Sequence, residues 1–303
     1  MNMHRSLLAA AIAAALTSPL AATAQQGSGT LEEVVVTASK REASLQDVAI
    51  AVTAVSGELI ESLAINDIEG LAVQTPSFAF SKAGGEAQMY IRGVGTNIFG
   101  IGADPSVAVT LDGVYLGRTN MGLTQFLDID RVEILRGPQG TLYGRNATAG
   151  AINLISRMPT DEFEGYVSAG YGEFDRIELQ GAVGGPLNDA WSFRLAARHM
   201  QDEGYTDDLD PRGANEIDDN DIQAYRGILQ FEPSADFSAT LIAEYTEFEN
   251  GNTSIIPRDD LGLAETLGAV PTGSIHKVRN DLPTFFDWDS SGVTLAIEWQ
   301  LTD

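Results

Sequence analysis

One segment, from Arg131 to Ser156, constrains the fold more than any other part of the chain, and it reads RVEILRGPQGTLYGRNATAGAINLIS. Apolar and polar side chains alternate up to Arg136, and this period of two predicts a half-buried strand. Gly137-Pro138 then ends the strand, because proline fixes φ and glycine accepts backbone angles that other residues avoid. The apolar run Ala151–Ile155 follows after a short turn and coil. Two strands joined so closely predict a compact α+β module rather than a barrel hairpin.

Three motifs lie within this segment. Their residues are Leu135-Arg136-Gly137-Pro138, Leu142-Tyr143-Gly144 and Gly150-Ala151-Ile152-Asn153-Leu154-Ile155. Together they resemble the plug domain of TonB-dependent outer-membrane receptors, in which an LRGP motif precedes LYG and a strand of the GG-x-I-N-I-I type. A match of this length is more specific than a lone glycine motif. Two ordinary strands with a glycine-rich turn are the alternative.

Two elements upstream resemble the same plug. Met89–Gly95 is similar to the family's IRG-x-G element, and Val107–Tyr115 is similar to its V-x-V-x-x-DGV element. The motif residues in the first predicted strand are Arg92 and Gly93, and Asp112-Gly113 is predicted as the turn within Val107–Tyr115. The resemblance covers residues 31–160, and it assigns residues 44–160 to the plug domain.

Local signals predict the remaining plug elements. Val48–Val55 is an apolar run of strand length, and Ser56 is predicted to cap a short helix. Asn66, with Glu69 three residues later, predicts a capping box for a second helix. This helix should end before Pro76, because the residue ahead of a proline avoids helical angles.

The N-terminal residues have the pattern of a secretory signal peptide. His4-Arg5 precedes the apolar stretch Leu7–Leu16, and Ala22-Thr23-Ala24 is an A-x-A cleavage site. We therefore expect residues 1–24 to be removed and the mature protein to act beyond the inner membrane. A buried N-terminal helix fits less well, because Pro19 favours export.

Residues 25–43 are predicted to form a flexible tether followed by an extended segment, since consecutive valines and a threonine prefer an extended backbone. A strand beside a tether offers unpaired N–H and C=O groups for strand addition by a partner. The segment resembles the TonB box, which implies that TonB is this partner. The residues that would bind TonB are Glu33, Val34, Val35, Val36, Thr37 and Ala38. An ordinary edge strand is the alternative.

Composition excludes several partners and sites. The chain has 303 residues, no cysteine and a net charge of −25. Residues 163–303 carry 8 basic and 27 acidic residues, a net of −19, which argues against nucleic acid because phosphates would be repelled. The lack of cysteine excludes thiolate metal sites, and no metal or other cofactor is predicted.

No motif indicates catalysis. The sequence has no dinucleotide-binding loop, P-loop, G-x-S-x-G or H-E-x-x-H pattern. Its histidines are scattered, and its many carboxylates show no arrangement that singles out an acid/base pair. We therefore expect the chain not to be an enzyme.

Alternating apolar and polar residues recur in the second half of the chain. The segments that show this pattern are Gly165–Gly172, Ile177–Val183, Trp191–Arg198, Ile222–Phe231, Phe237–Thr246 and Val293–Gln300. Each is close to the roughly 9–11 residues that a tilted strand needs to cross a bilayer, apolar outward and polar inward. Residues 161–303 are therefore predicted to form about six antiparallel strands of an outer-membrane β-barrel. A soluble β-sandwich is the alternative.

The connections between these strands alternate in length. Gly184–Ala190 and Glu232–Asp236 are short, whereas Met200–Asp221 and Glu249–Ser291 are long and polar, which matches barrels with short periplasmic turns. The aromatic residues predicted to form an interfacial girdle on the short-turn side are Trp191, Phe231, Phe237 and Trp299. Plugged transporters use roughly 22 strands, so the sequence is interpreted as an incomplete barrel from a fragment or truncated gene.

Two glycine-rich loops, Asn97–Gly102 and Gly117–Gly122, are candidates for ligand contact, because the family meets its substrate above the plug and at the barrel loops. The candidate contacts are Phe99, Arg118 and Asn120, with turn formation as the alternative role. Residues 201–221 hold nine acidic residues and one basic residue, which predicts a solvated extracellular loop. A calcium loop is the weaker alternative, because Arg212 occupies a ligand position.

The resemblance implies active uptake of a scarce, bulky ligand across the outer membrane of a Gram-negative bacterium, most often a ferric siderophore. TonB would pull the box, the plug would rearrange, and the inner-membrane proton gradient would supply the work. The plug and the box would lie on the periplasmic side, with the strands in contact with outer-membrane lipid. A carbohydrate, polyphenol or other organic substrate is the first alternative. A passive structural or adhesive outer-membrane protein is the second, and a secreted enzyme the third.

Overall fold

The computed structural model describes residues 35–37, 43–44, 50–83, 86–97, 104–209, 217–251, 277–278 and 285–301. These residues belong to one compact unit, Val34–Asp303. The predicted signal peptide and tether lie outside the described residues, as do Glu33, Val34, Ala38 and Phe99. Within the described ranges, no helix has the length and apolar character that a membrane crossing requires.

The first part of the chain contains short strands and short helices. In chain order they are β1 Val35–Val36, β2 Ala43–Ser44, β3 Ala51–Ser56, α1 Gly57–Ser62, α2 Ile68–Gln74, β4 Phe78–Ala83, β5 Glu86–Ile91, β6 Val94–Gly95, β7 Val107–Leu111, β8 Val114–Tyr115, a 3-10 helix Asn120–Leu123, β9 Ile129–Arg136, α3 Gly140–Tyr143 and β10 Gly150–Ser156.

A mixed sheet with the order β3-β9-β10-β7-β8 forms the centre of this part. Strands β9 and β10 pair antiparallel, with Arg136 opposite Gly150, whereas β10 and β7 run parallel. The predicted strand, turn and returning strand of the opening segment are confirmed, and α3 lies between them. This part is therefore the compact α+β module that the segment predicts.

The core of the module lies on one face of the central sheet. Ile134 and Ile152 on that face pack with Ile68 and Leu71 of α2 and with Ile91 of β5. Each of these five residues is 0% exposed. Burial of such a side chain contributes about 1.5–3 kcal/mol to the free energy of folding. The packing of α2 and β5 on the sheet therefore stabilises the module.

The helix caps agree only partly with the sequence. The hydroxyl of Ser56 accepts a hydrogen bond from Leu59 N at 3.3 Å, so the predicted cap of α1 is confirmed. The cap of α2 is Asp67 rather than Asn66, because the Asp67 carboxylate accepts from Gly70 N at 2.9 Å. Asn66 instead accepts a hydrogen bond from Phe126 N through its backbone carbonyl, which holds Asn66 outside the helix.

Two tight hairpin turns use residues of the family motifs. Arg92 and Gly93 have φ of 54° and 79°, and Asp112 and Gly113 have φ of 48° and 83°. Such paired positive φ angles are typical of two-residue hairpin turns. The predicted strand Met89–Gly95 is therefore wrong as a single strand, because the chain reverses at Arg92-Gly93 between β5 and β6.

The second part of the chain is a sheet of long strands. Its elements are β11 Glu164–Tyr171, β12 Ile177–Asn188, β13 Trp191–Asp202, β14 Asp207–Asp208, β15 Asn220–Ser234, β16 Phe237–Asn250, β17 Lys277–Val278 and β18 Trp288–Trp299. The order β11-β12-β13-β15-β16-β18 forms one antiparallel sheet, so the six predicted strands are confirmed. The two-residue strands β14 and β17 pair separately.

The strands are longer than the sequence pattern predicted. The sequence pattern predicts a turn over Gly184–Ala190, but β12 continues to Asn188 and only two residues separate it from β13. Asn188 ends this strand by accepting hydrogen bonds from Ala190 N and Trp191 N. Backbone pairing between β12 and β13 therefore extends across glycine and proline residues that the sequence suggested were loop.

One face of this sheet is apolar and exposed. Leu195 is 54% exposed and Leu295 is 63% exposed, whereas the guanidinium groups of the opposite face are covered. The aromatic side chains at the short-turn end form a row across neighbouring strands. Their ring centroids lie 4.5 Å apart for Trp191–Phe231, 6.3 Å for Phe231–Phe237 and 6.3 Å for Phe237–Trp299. The predicted row of aromatics on the short-turn side is confirmed.

The opposite face is not uniformly polar, which corrects the prediction. Met200, Ile222, Phe248 and Trp288 are cross-strand neighbours on that face near the long loops. Phe286 packs against this cluster and also against the core of the module. Apolar side chains are stable there because protein, rather than water, covers that end of the sheet.

Candidate functional site

The segment predicted to bind a partner strand lies on the module. Strand β1 pairs antiparallel with β2, with Val35 opposite Ser44 and Val36 opposite Ala43. The side chain of Val36 is 0% exposed and belongs to a small apolar cluster with Leu135 of β9. The other members of this cluster are Ala108, Ala147 and Ala151. Burial of Val36 therefore docks this segment on the sheet.

Glu133 of β9 holds the next residue of the segment. Its carboxylate is 0% exposed and accepts hydrogen bonds from Thr37 N at 2.8 Å and from Thr37 Oγ1 at 3.2 Å. The Nε of Arg131 donates to the same carboxylate at 3.0 Å. A buried carboxylate needs such partners, because an unpaired charge inside a protein is very unfavourable. The contact between Glu133 and Thr37 joins residues that are 96 positions apart.

Two residues of the family motifs support this carboxylate. Asn153 Nδ2 lies 3.4 Å from Glu133 Oε2 and donates to the hydroxyl of Tyr143 at 2.7 Å. Thr110 of β7 donates to Asn153 Oδ1 at 2.8 Å. The network therefore connects Thr37 with β7, β9, β10 and α3.

The charges of the network follow from its surroundings. Burial opposes the charge of Arg131, but hydrogen bonds to Glu133 and Asp130 outweigh it and raise its pKa above the ordinary value. Burial raises the pKa of the Tyr143 hydroxyl, and the hydrogen bond to Asn153 only partly offsets this. Tyr143 therefore stays neutral and Arg131 stays charged at physiological pH.

The role of Glu133 could not be read from its strand. Alternation predicted that Arg131, Glu133 and Arg136 face solvent, but both faces of β9 are buried from Val132 to Leu135. The second face is covered by the apolar cluster around Val36. The prediction of a half-buried strand is therefore wrong, because residues from β1 lie over its polar face.

The remaining motif residues shape the backbone. Asp112, in the turn before β8, accepts hydrogen bonds from Ser156 N at 2.8 Å and Ser156 Oγ at 2.7 Å, which fixes that turn to the end of β10. Gly137 and Gly144 have φ of 110° and 84°, which glycine adopts readily. Pro138 follows Gly137 in the connection to α3, and Leu142 of α3 is 37% exposed.

The candidate ligand residues lie in and before the 3-10 helix. The carbonyl of Arg118 accepts from Met121 N at 3.1 Å, so Arg118 takes part in a turn through its backbone. Asn120 is the first residue of the 3-10 helix. The role of both residues in ligand contact stays a prediction. Among the residues that the structure describes, no cluster of metal-binding side chains occurs.

A second set of contacts joins the module to the long-stranded sheet. Arg194 of β13 forms two hydrogen bonds with the carboxylate of Asp128, from Nε at 2.5 Å and from Nη2 at 2.8 Å. Both side chains are 3% exposed. Arg194 Nη1 also contacts Glu164 at 2.8 Å. Parallel hydrogen bonds between a guanidinium and a carboxylate are among the stronger polar contacts in proteins.

Two further arginines hold the residues before Asp128. Arg198 Nη1 donates to the carbonyl of Phe126 at 2.7 Å, and Arg226 Nη1 donates to the carbonyl of Leu127 at 2.7 Å. Arg226 lies between Arg194 and Arg198 on the sheet, because it pairs with Ala196. We call Arg194, Arg198 and Arg226 the arginine clamp. The sequence pattern indicated only that Arg194 and Arg198 lie on the polar side of their strand.

The sequence matches the family model described as "TonB-dependent Receptor Plug Domain" over residues 44–151. It is 27% identical to the ferripyoverdine receptor of Pseudomonas aeruginosa over 216 residues, which covers 70% of this chain and 25% of that protein. It is 28% identical to a vitamin B12 transporter of Vibrio cholerae over 256 residues, which covers 82% of this chain and 40% of that protein. The chain therefore spans less than half the length of these relatives.

Solved structures share the fold. The ferric yersiniabactin uptake receptor of Yersinia pestis matches with a TM-score of 0.73 and 19% identity, covering 83% of this chain and 38% of that one. The outer-membrane ferripyoverdine receptor of Pseudomonas aeruginosa, bound to ferripyoverdine, matches with a TM-score of 0.69 and 20% identity, covering 90% and 35%. These matches confirm a plug followed by antiparallel barrel strands, and they disfavour a β-sandwich.

Proposed function

We propose that the chain belongs to the TonB-dependent outer-membrane receptors and serves TonB-dependent uptake of a bulky ligand across the outer membrane. The observation that carries the proposal is the short strand β1, docked on one face of the central sheet of the plug by Val36 and Thr37. Strand β1 could exchange its pairing with β2 for pairing with a strand of TonB, which would bind the backbone of β1. Glu33–Ala38 is the segment that we propose TonB binds.

The plug and the box lie on the periplasmic side in this proposal. Ligand binding on the outer side would loosen the box, and TonB would add a strand and pull. The plug would then rearrange and open a path for the ligand. The inner-membrane proton gradient would supply the work.

A ferric siderophore is the ligand class that we propose first. The names of the ferripyoverdine receptor and of the ferric yersiniabactin uptake receptor support it. A vitamin B12 transporter is also among the relatives, so another organic ligand is the second candidate. The relatives are named as receptors and transporters, in agreement with the prediction that the chain is not an enzyme.

Substitution of Val35 by proline tests the partner. Proline removes the backbone N–H and fixes φ, so strand addition by TonB should fail. We expect the affinity of the purified chain for the soluble C-terminal domain of TonB to fall by at least about tenfold. Biolayer interferometry would measure it, with Gly27→Pro, in the predicted tether, as the matched control. Equal binding by Val35→Pro and wild type would contradict the proposal and favour a passive outer-membrane protein.

The exposed apolar face supports contact with outer-membrane lipid, and Leu195→Lys tests it. Leu195 lies near the middle of β13, where we expect lysine to cost about 2–4 kcal/mol of partition free energy into lipid vesicles. Gln201→Lys, on the same face near the end of that strand, should cost at most about 1 kcal/mol. Vesicle flotation would measure both values, and an equal cost at the two positions would exclude a lipid-facing surface.

A further inference from the structure

We propose that Glu133 is a positioning residue that holds the TonB-binding segment on the plug and thereby limits how readily TonB binds it. This inference rests on the proposed function, because it concerns access to the same segment. Glu133 acts on TonB binding indirectly. It acts through Thr37, which its carboxylate holds by two hydrogen bonds at 2.8 Å and 3.2 Å.

The contact competes with strand addition. Strand addition uses the backbone N–H and C=O groups of the bound segment. In the plug, the N–H of Thr37 donates to Glu133, and β1 pairs with β2. The side chain of Val36 is buried against the plug as well. TonB can therefore pair with this segment only after Thr37 has left Glu133.

A carboxylate is a stronger hydrogen-bond acceptor than a neutral amide. Hydrogen bonds to a charged acceptor are roughly twice as strong as bonds between neutral groups. Arg131 Nε lies 3.0 Å from Glu133 and balances the buried charge. A neutral glutamine at this position keeps the shape of the side chain and weakens the hold on Thr37.

The Glu133 carboxylate also contacts residues of other plug elements, so a movement of those elements can change its position. Asn153 connects Glu133 Oε2 with the hydroxyl of Tyr143 and with Thr110. A displacement of β10 or α3 would therefore change the geometry of the bond to Thr37. A rearrangement of the plug can release the segment in this way, without any direct contact between ligand and box.

Glu133→Gln tests the inference with two readouts. The chain has no cysteine, so a spin label at Ala38→Cys would report the segment alone. We expect the label to become more mobile, and the unlabelled variant to bind the TonB domain about tenfold more tightly than wild type. Asp130→Asn is the matched control, because Asp130 lies on the same strand and pairs with Arg131 but does not contact Thr37.

Each outcome separates the two proposals. A mobile label with tighter TonB binding supports both. A mobile label in a chain that never binds TonB supports the hold by Glu133 and overturns the proposed function. An unchanged label and unchanged affinity overturn the inference alone.

If Glu133→Gln does not fold by circular dichroism, Thr37→Val replaces it, because valine keeps the backbone N–H but removes the hydroxyl bonds. Its shifts should be smaller and in the same direction, and their absence overturns the inference.

Discussion

Substitution of Asp128 by asparagine is expected to lower the free energy of unfolding by about 3 kcal/mol, because it leaves the buried Arg194 without its main counter-charge. Both side chains are 3% exposed, so water cannot replace the lost interaction. Asparagine tolerates the positive φ of 49° at this position, so the change removes charge without adding backbone strain. Glu164 keeps one contact with Arg194, which places the cost at the low end of the range for broken buried pairs.

Urea unfolding in detergent micelles, followed by tryptophan fluorescence, would measure this loss. Asp130→Asn is the control, because its ion pair with Arg131 is more exposed and should contribute at most about 1 kcal/mol. The double variant Asp128→Asn with Arg194→Met should recover part of the loss, because it also removes the buried charge. A loss at Asp128 no larger than that at Asp130 would mean that the arginine clamp does not stabilise the contact between plug and sheet.

Substitution of Gly150 by alanine is expected to destabilise the plug by about 3 kcal/mol, because the added methyl group has no space. A Cβ at this position would overlap the carbonyl oxygen of Leu135 and would lie 2.8 Å from Ile91 Cδ1. Leu135 belongs to β9, which pairs with β10 along its length, so its backbone can move only if that pairing breaks. Glycine fits this position because the backbone of β9 and the side chain of Ile91 leave no space for a Cβ.

Gly140→Ala is the matched control for this experiment. Gly140 belongs to the same motif segment, but a Cβ there would meet no atom within 4 Å. Alanine also restricts the unfolded chain, so a change of about 0.4–1 kcal/mol toward stability is expected. Thermal unfolding by circular dichroism would compare the two variants. Equal stability of Gly150→Ala and Gly140→Ala would mean that the plug adapts to the extra methyl group.

Local patterns of the sequence predicted much of the fold. The α+β module, the cap at Ser56 and the turn at Asp112-Gly113 follow from residue preferences within a few positions. The six long strands and their aromatic row follow from alternation along each strand. The prediction was wrong at Asn66 and Asp67, because either side chain can cap the helix that follows. It was also wrong at the end of β12, where strand pairing continues through glycine and proline residues.

The sequence alone determined the resemblance to a plug domain, the sheet with one apolar face and the segment proposed to bind TonB, because these depend on motifs and periods within single segments. Only the tertiary structure decided that Glu133 is buried beneath Thr37 and that Arg194 holds Asp128. These partners are 96 and 66 positions apart. A polar residue at an alternating position has the same local pattern whether it faces water or a distant segment. Its environment is set by the segment that covers it, and no property of its own strand specifies that segment.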